Sequence, residues 1–493
     1  MGEPFYSGKP PPSRWLQVLA LLLVLALVGV GWFAYRRVRS VNEDGAFPTP
    51  AITPLGSPSG TTARAESSIY DHAFSPTACP YRPVSVAHSA DRAKLYGNLA
   101  VIAGADADLR ELSYTEPVET RNLTTAQFKA KLKRSTIPRN EKTREFQRVY
   151  GEVLELLRVI PEADDYQELV TDVTTTQIAG FYDPEKKKVF VPGSVTDPSP
   201  LDEFVLSHEL EHALADQVLG LPIEDSSAAI ESDRQFAARA LVEGDAQLTS
   251  IFYAINNMSQ EELAGIASDP TVAEASDLEI PHVLERGISF PYEEGLNFVC
   301  FLYGRGGWKE VNRAYRRPPN STAEIIFPER YGKVEPPADP ADPKAPKGWR
   351  LVELSASGAL DLLTLFEAPN GEVTAEPSGV VDRVRRWNGG EFGIWSDDKG
   401  RAAFTITAID EPDLGGASPT PHMCVQMQLW FAQNYPEAAE LDTGNVAIQG
   451  RDLGDAIALL RCTIDKPDIV FAVAPDKRTA LALVGVKPVS IAP

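Results

Sequence analysis

Five positions in the run Leu206-Ser207-His208-Glu209-Leu210-Glu211-His212-Ala213-Leu214 constrain this chain more than any others, because they read H-E-x-x-H. In a helix, residues four apart lie about 40° apart around the axis and one turn along it. His208 and His212 therefore project from one face and can share a tetrahedral Zn2+. Glu209, beside the first ligand, is placed to reach a water on the metal and not the metal itself. Zinc draws the pKa of such a water towards ~7, and a nearby carboxylate takes its proton as it attacks a carbonyl. The whole chain holds only six histidines, so chance is a poor source of the pattern. Phe204, Val205, Leu206, Leu210, Ala213 and Leu214 predict a largely buried helix. Buried histidines and glutamates need partners, and a metal supplies one. Asp202, Glu203, Glu209, Glu211 and Asp216 crowd the same helix with charge, so it belongs to a water-soluble domain and not to a bilayer.

A third protein ligand is required. Glu243, in Ala240-Leu241-Val242-Glu243-Gly244-Asp245-Ala246, lies on the next predicted helix. Its small neighbours Ala240 and Ala246 permit close helix approach. Glu231, Asp233 and Asp245 compete for the role on position alone, and Asp245 is also a candidate to orient a ligand histidine.

Outside this region composition narrows the field. Acidic residues outnumber basic ones by 69 to 47, a net charge of −22, which repels phosphate backbones and argues against nucleic acid as a partner. The four cysteines, Cys79, Cys300, Cys424 and Cys462, show no metal-ligand spacing. Cys424 and Cys462 are the expected disulfide pair. Cys300, in Phe298-Val299-Cys300-Phe301-Leu302, reads as a buried thiol. Residues 15–35 carry no charge and are long enough to span the hydrocarbon core as a helix, with Trp15 and Trp32 at the two interfaces. An uncleaved single-pass anchor in the lipid bilayer is expected, with the C-terminal part extracytoplasmic. A flank of residues 1–14 precedes it, and a stalk rich in Pro, Ser and Thr follows over residues 36–78.

Beyond the stalk the spacing of apolar residues predicts helices at 124–133 and 141–160. Strands are expected at Thr174–Tyr182 and Lys188–Val191, joined through Asp183-Pro184-Glu185-Lys186. Helices follow at 201–219, stopped by Gly220, then at 226–256, Tyr292–Tyr303 and Lys309–Tyr315. A proline-rich linker at 333–348 divides an expected domain over 79–332 from a small α+β unit over 349–493. The latter has helices at 356–366, 422–434 and 453–462, strands at 391–396, 401–409 and 468–473, and a hairpin turn at Asp397-Asp398-Lys399-Gly400.

H-E-x-x-H with a glutamate on the next helix resembles the gluzincin metallopeptidases. Pro291-Tyr292-Glu293-Glu294-Gly295 is similar to the tyrosine-bearing helix of the gluzincin aminopeptidases. The chain also resembles uncharacterised bacterial predicted gluzincins in Ala179-Gly180-Phe181-Tyr182-Asp183-Pro184, in Glu243-Gly244-Asp245-Ala246 and in Pro318-Pro319-Asn320-Ser321-Thr322, over roughly residues 90–332. The resemblance implies an α+β gluzincin-like fold and a zinc-dependent peptidase. It implies ligands His208, His212 and Glu243, Glu209 as general base, and Tyr292 as donor to the oxyanion. It also implies an edge strand, Thr176–Tyr182, where Gly180, Phe181 and Tyr182 bind a peptide substrate by strand addition. The G-x-M-E-N strand of the aminopeptidases is missing, so endopeptidase and aminopeptidase both stand. The alternative is a surface binding or scaffold protein that keeps the zinc and does not turn over.

Overall fold

The chain is a mixed α+β structure, given by a computed structural model that describes Cys79 and residues 99–485. Residues 139, 161–165, 178–179, 193–198, 224–230, 270–271, 273–279, 334–335, 341–342, 374–378, 412–420 and 465 are excepted. The expected flank, anchor and stalk, residues 1–78, lie outside the described residues. Among those described, no helix is long and apolar enough to cross a membrane.

The N-terminal half begins with α1 (Ala100–Arg110), β1 (Glu119–Leu123), α2 (Thr125–Thr136), α3 (Glu141–Leu156) and α4 (Tyr166–Gln177). β2 (Phe181–Asp183) and β3 (Lys188–Pro192) form the expected hairpin. The predicted strand Thr174–Tyr182 is thus wrong over its first four residues, which close α4, while Phe181 and Tyr182 are extended as expected. A cluster of threonines favours a strand, but the Thr171 and Thr175 hydroxyls turn back to carbonyls of their own helix, Gln167 and Thr171. β1 adds to β3 in parallel, giving a sheet of order β1-β3-β2 in which β2 is an edge.

α5 (Pro200–Val218) starts at Ser199, whose hydroxyl accepts the Asp202 N–H while the Asp202 carboxylate accepts the Ser199 N–H. It stops at Gly220, where φ is +73°. α6 (Asp233–Asn257) is capped in the same way by Ser232 and Gln235, which moves its start seven residues beyond the expected one. α7 (Gln260–Ala267) follows. α8 (His282–Gly306) runs ten residues further back than expected, straight through Pro291. Proline there removes the amide that would bond Gly287. Buried contacts hold the first half in place: His282 and Arg286 both bond Glu367, and Arg286 also bonds Glu294 at 2.5 Å. α9 (Trp308–Arg316) and α10 (Thr322–Ile326) complete this half.

α5 and α6 pack antiparallel, with Glu203 bonded to Tyr253 and Glu211 level with Asp245. α6 and α8 run the same way, since Phe236 meets Phe290, Ala240 meets Gly295 and Phe252 meets Tyr303. Their closest approach is glycine on glycine. A Cβ on Gly244 would stand 2.2 Å from the Gly295 carbonyl, and one on Gly295 would stand 2.2 Å from the Ala240 oxygen.

The C-terminal half contains β4 (Trp349–Ala356), α11 (Ala359–Glu367), β5 (Trp387–Asp397), β6 (Ala402–Asp410) and α12 (Met423–Asn434). β7 (Ala439–Glu440), β8 (Ile448–Asp452), β9 (Ile457–Arg461), β10 (Asp468–Ala474) and α13 (Lys477–Leu483) complete it. The strands form one antiparallel sheet, β4-β5-β6-β10-β9-β8-β7. The expected helix at 453–462 is instead the turn and second strand of the β8–β9 hairpin. Gly454 at φ +89° turns the chain, and Asp452 pairs with Ile457. The predicted hairpin turn at Asp397–Gly400 is present, with Gly400 at φ +82°. Cys424 and Cys462 are joined, Cα to Cα 5.7 Å, and Cys300 is a buried free thiol.

The proline-rich run does not divide the core. One continuous set of buried apolar side chains extends from Leu99 and Phe146 through Phe298 to Trp430 and Phe471. Asn434 and Tyr435 bond the carbonyls of Leu157 and Leu156. Within the run, the Ala338 N–H donates to the Asn388 carbonyl at 2.8 Å.

Candidate metal centre

His208 and His212 face inward from the middle of α5, and Glu243 meets them from α6. His208 Nε2 and His212 Nε2 are 3.1 Å apart, and Glu243 Oε2 lies 3.2 Å from the first and 3.3 Å from the second. A tetrahedral ion with bonds of about 2.0–2.1 Å separates its ligand atoms by about 3.3 Å. Three donor atoms of the sequence-predicted set therefore already describe one face of such a tetrahedron. This group can hold a metal ion. Its chemistry fits as well, since two imidazole nitrogens and a carboxylate oxygen converge on one point and all offer lone pairs to it. Burial opposes charge on Glu243, yet the facing imidazoles hold its carboxyl well below the usual range.

Glu209 is buried, and burial raises its carboxyl above the ordinary range against the pull of both imidazoles. The Tyr182 backbone N–H reaches that carboxylate. Gly180 makes the approach possible, because a Cβ there would stand 2.7 Å from Val205 Cγ1 and 3.4 Å from Glu209 Cγ. β2 thus lies against the histidine helix, and Tyr182 is tied to it again by its hydroxyl, which donates to Asp216 at 2.8 Å. Phe181 points away: its ring packs against Phe128 and Phe190. Of the three residues expected to receive a substrate, two border Glu209 and the third belongs to a small separate core.

Tyr292 lies beside the centre. Its ring is 5.8 Å from that of His208 and nearly parallel to it, and its hydroxyl reaches Glu243. Burial and the Glu243 and Glu209 charges push the phenol well above its ordinary pKa, so it stays protonated and able to donate. The residue is still 39 % exposed.

Asp245 occupies a different place from the expected one. It accepts two hydrogen bonds from Arg110, at 2.9 and 2.8 Å, and does not bond a ligand histidine. Arg110 is wholly buried, 3.6 Å from Glu211 and 4.3 Å from the centre of the Trp308 ring. Glu211 Oε2 comes no nearer to His212 Nδ1 than 4.0 Å. This layer of Arg110, Asp245 and Glu211 ties α1, α5, α6 and α9 together behind the ligands. Sequence reasoning missed Arg110. The available signal was a basic residue closing the run Ala100–Leu109, whose small and apolar residues are broken only by Asp106 and Asp108 and which predicts a buried helix that must give its charges partners.

No family model, curated protein or solved structure matches this chain.

Proposed function

We propose that the chain is a zinc-dependent peptidase of gluzincin type, with His208, His212 and Glu243 as ligands. The observation that carries this reading is the near-equilateral triangle of donor atoms, 3.1–3.3 Å on a side, with Glu209 one residue from the first ligand. Zinc favours that mixture of nitrogen and oxygen donors, and when bound it polarises a carbonyl and makes a neighbouring water more acidic. Glu209 takes the proton from the attacking water and passes it to the leaving amine; its raised affinity for protons suits both halves of the task. Tyr292 donates its hydroxyl proton in a hydrogen bond to the oxygen that becomes negative as the carbonyl turns tetrahedral. The Tyr182 N–H keeps the Glu209 carboxylate turned towards the ligands. The substrate is a peptide or protein.

The same reading makes residues 15–35 a single-pass bilayer anchor and places the part C-terminal to it on the extracytoplasmic side. The Cys424–Cys462 disulfide favours that side, since such bonds persist in oxidising compartments.

Metal analysis and Glu209→Gln test the proposal together. The parent is expected to carry about one zinc per chain and to cleave a mixed peptide library. Glu209→Gln keeps the zinc and loses about 10²–10⁴-fold in rate. A chain without zinc, or a variant as active as its parent, removes the reading. A zinc-loaded parent that cleaves nothing leaves the silent binding protein as the answer.

A further inference from the structure

The chain carries a concavity on the far side of α6 from the candidate ligands. Nine residues at about 100° each place Arg234 about 180° around the helix from Glu243. From Arg234 a groove of about 540 Å3 extends along α9 to the end of α8. Arg234, Arg305, Arg313, Arg316, Arg317 and Lys333 line it, with Glu310 as the only acid among its lining residues. Glu310 is already used, bonded to Arg313 at 2.7 Å. Among the described residues, none of the other five cations forms an ion pair. One wall is fixed by the Tyr331 hydroxyl, which donates to the Arg317 carbonyl at 2.6 Å. The floor comes from α9, which buries Trp308, Val311, Ala314 and Tyr315 and leaves Arg313 and Arg316 exposed.

Five unmatched cations around one cavity repel each other, and they do so in a chain whose net charge is −22. A surface built only for solubility would scatter them among the abundant acids. We propose that this groove binds a multiply phosphorylated ligand. Guanidinium groups match phosphate oxygens in a two-pronged fashion, and one phosphoryl group brings about two charges. Two or three phosphoryl groups therefore neutralise the five cations within the available space. An acidic peptide would need five carboxylates, each with its own backbone and side chain, and would overfill it. The volume itself lies in the range of small-molecule sites, about 300–1,000 Å3, and is larger than a single ion requires.

Sodium triphosphate is the probe, titrated calorimetrically into the full-length, metal-loaded chain. Parent binding is expected, and it weakens as salt is raised. Arg316→Gln/Arg317→Gln should weaken it by about ten-fold or more, and Glu310→Gln should tighten it a few-fold. Both variants alter exposed or partly exposed side chains, and unchanged melting temperature and zinc content confirm that they fold. A water-soluble short-chain lipid with a multiply phosphorylated inositol headgroup separates two sources of the same chemistry. Displacement of triphosphate by it points to a lipid headgroup, and failure to displace points to a soluble phosphate compound. The proposal falls if triphosphate does not bind at millimolar concentration. It falls equally if binding survives in the double variant, as extraction of zinc by triphosphate would, or if oligoglutamate binds and triphosphate does not.

Discussion

Replacing Gly295 by alanine puts the geometry of the centre to a quantitative test. The new Cβ would lie 2.2 Å from the Ala240 carbonyl oxygen and 3.3 Å from its Cα, where ordinary contact begins at 3.4 Å. Both obstacles are backbone, so no side-chain rotation relieves them, and α8 has to back away from α6 by roughly 1 Å. Alanine returns about 1 kcal/mol as a better helix former. Overpacking a tight contact costs about 1–3 kcal/mol, and two rigid backbones put this case at the upper end. The net expectation is a loss of about 1–2 kcal/mol, read as a lower denaturant midpoint with an unchanged slope. Tyr292 sits one turn from position 295 and moves with α8, whereas all three ligands belong to α5 and α6. Zinc content should therefore hold while kcat/KM on a peptide library falls, since a misplacement of about 1 Å costs on the order of 10²-fold. Parent-like stability and turnover in Gly295→Ala would refute the close-crossing argument. Loss of zinc with no loss of stability would refute the assignment of Tyr292 to the moving side.

Three further outcomes follow from other contacts. Glu243→Gln removes the anionic ligand and should bring zinc retention after dialysis far below one per chain, with the fold intact by circular dichroism. Arg110→Met leaves Asp245 and Glu211 buried without their cation, so unfolding free energy should drop by about 3–5 kcal/mol; a drop below about 1 kcal/mol would show that the arginine is dispensable. Asp233 accepts hydrogen bonds from the Thr322 N–H and hydroxyl, yet burial pushes its carboxyl from 3.8 up to about 7. The folded state therefore holds this proton more tightly than the unfolded one. Its stabilising contribution is full below about pH 4 and is lost as pH rises to about 7, on the order of a few kcal/mol. Asp233→Asn should flatten the stability profile across that window, measured by urea titration at fixed pH values.

The candidate ligand set was legible because its grammar is local. His208 and His212 need only a helical turn between them, and an apolar helix that buries two histidines has to give them a shared partner. Glu243 was legible less directly, through small neighbours that promise a close helix partner. The glycine crossing that delivers Tyr292 depends on two residues far apart in sequence, Gly244 and Gly295, meeting with no side chains between them. Apolar periodicity carries no trace of that. Local rules misled in two places. The threonine cluster towards the end of α4 has strand propensity, but the Thr171 and Thr175 hydroxyls are satisfied inside a helix. The stretch 453–462 has helical spacing, but pairing with a neighbouring strand overrode it. Asp245 is expected from the sequence to orient a ligand histidine, and its partner is instead an arginine that nothing near it in sequence announces.

The continuous core across residues 333–348 has a practical corollary for anyone cutting the gene. Two fragments joined only through that stretch would each expose a broad oily face, since Phe146 and Leu157 share one core with Phe431 and Phe471. Expressed singly they are candidates for inclusion bodies; expressed together they are candidates for reassembly as a split protein. A protease nick in the loop should likewise leave both pieces travelling as one particle through a sizing column.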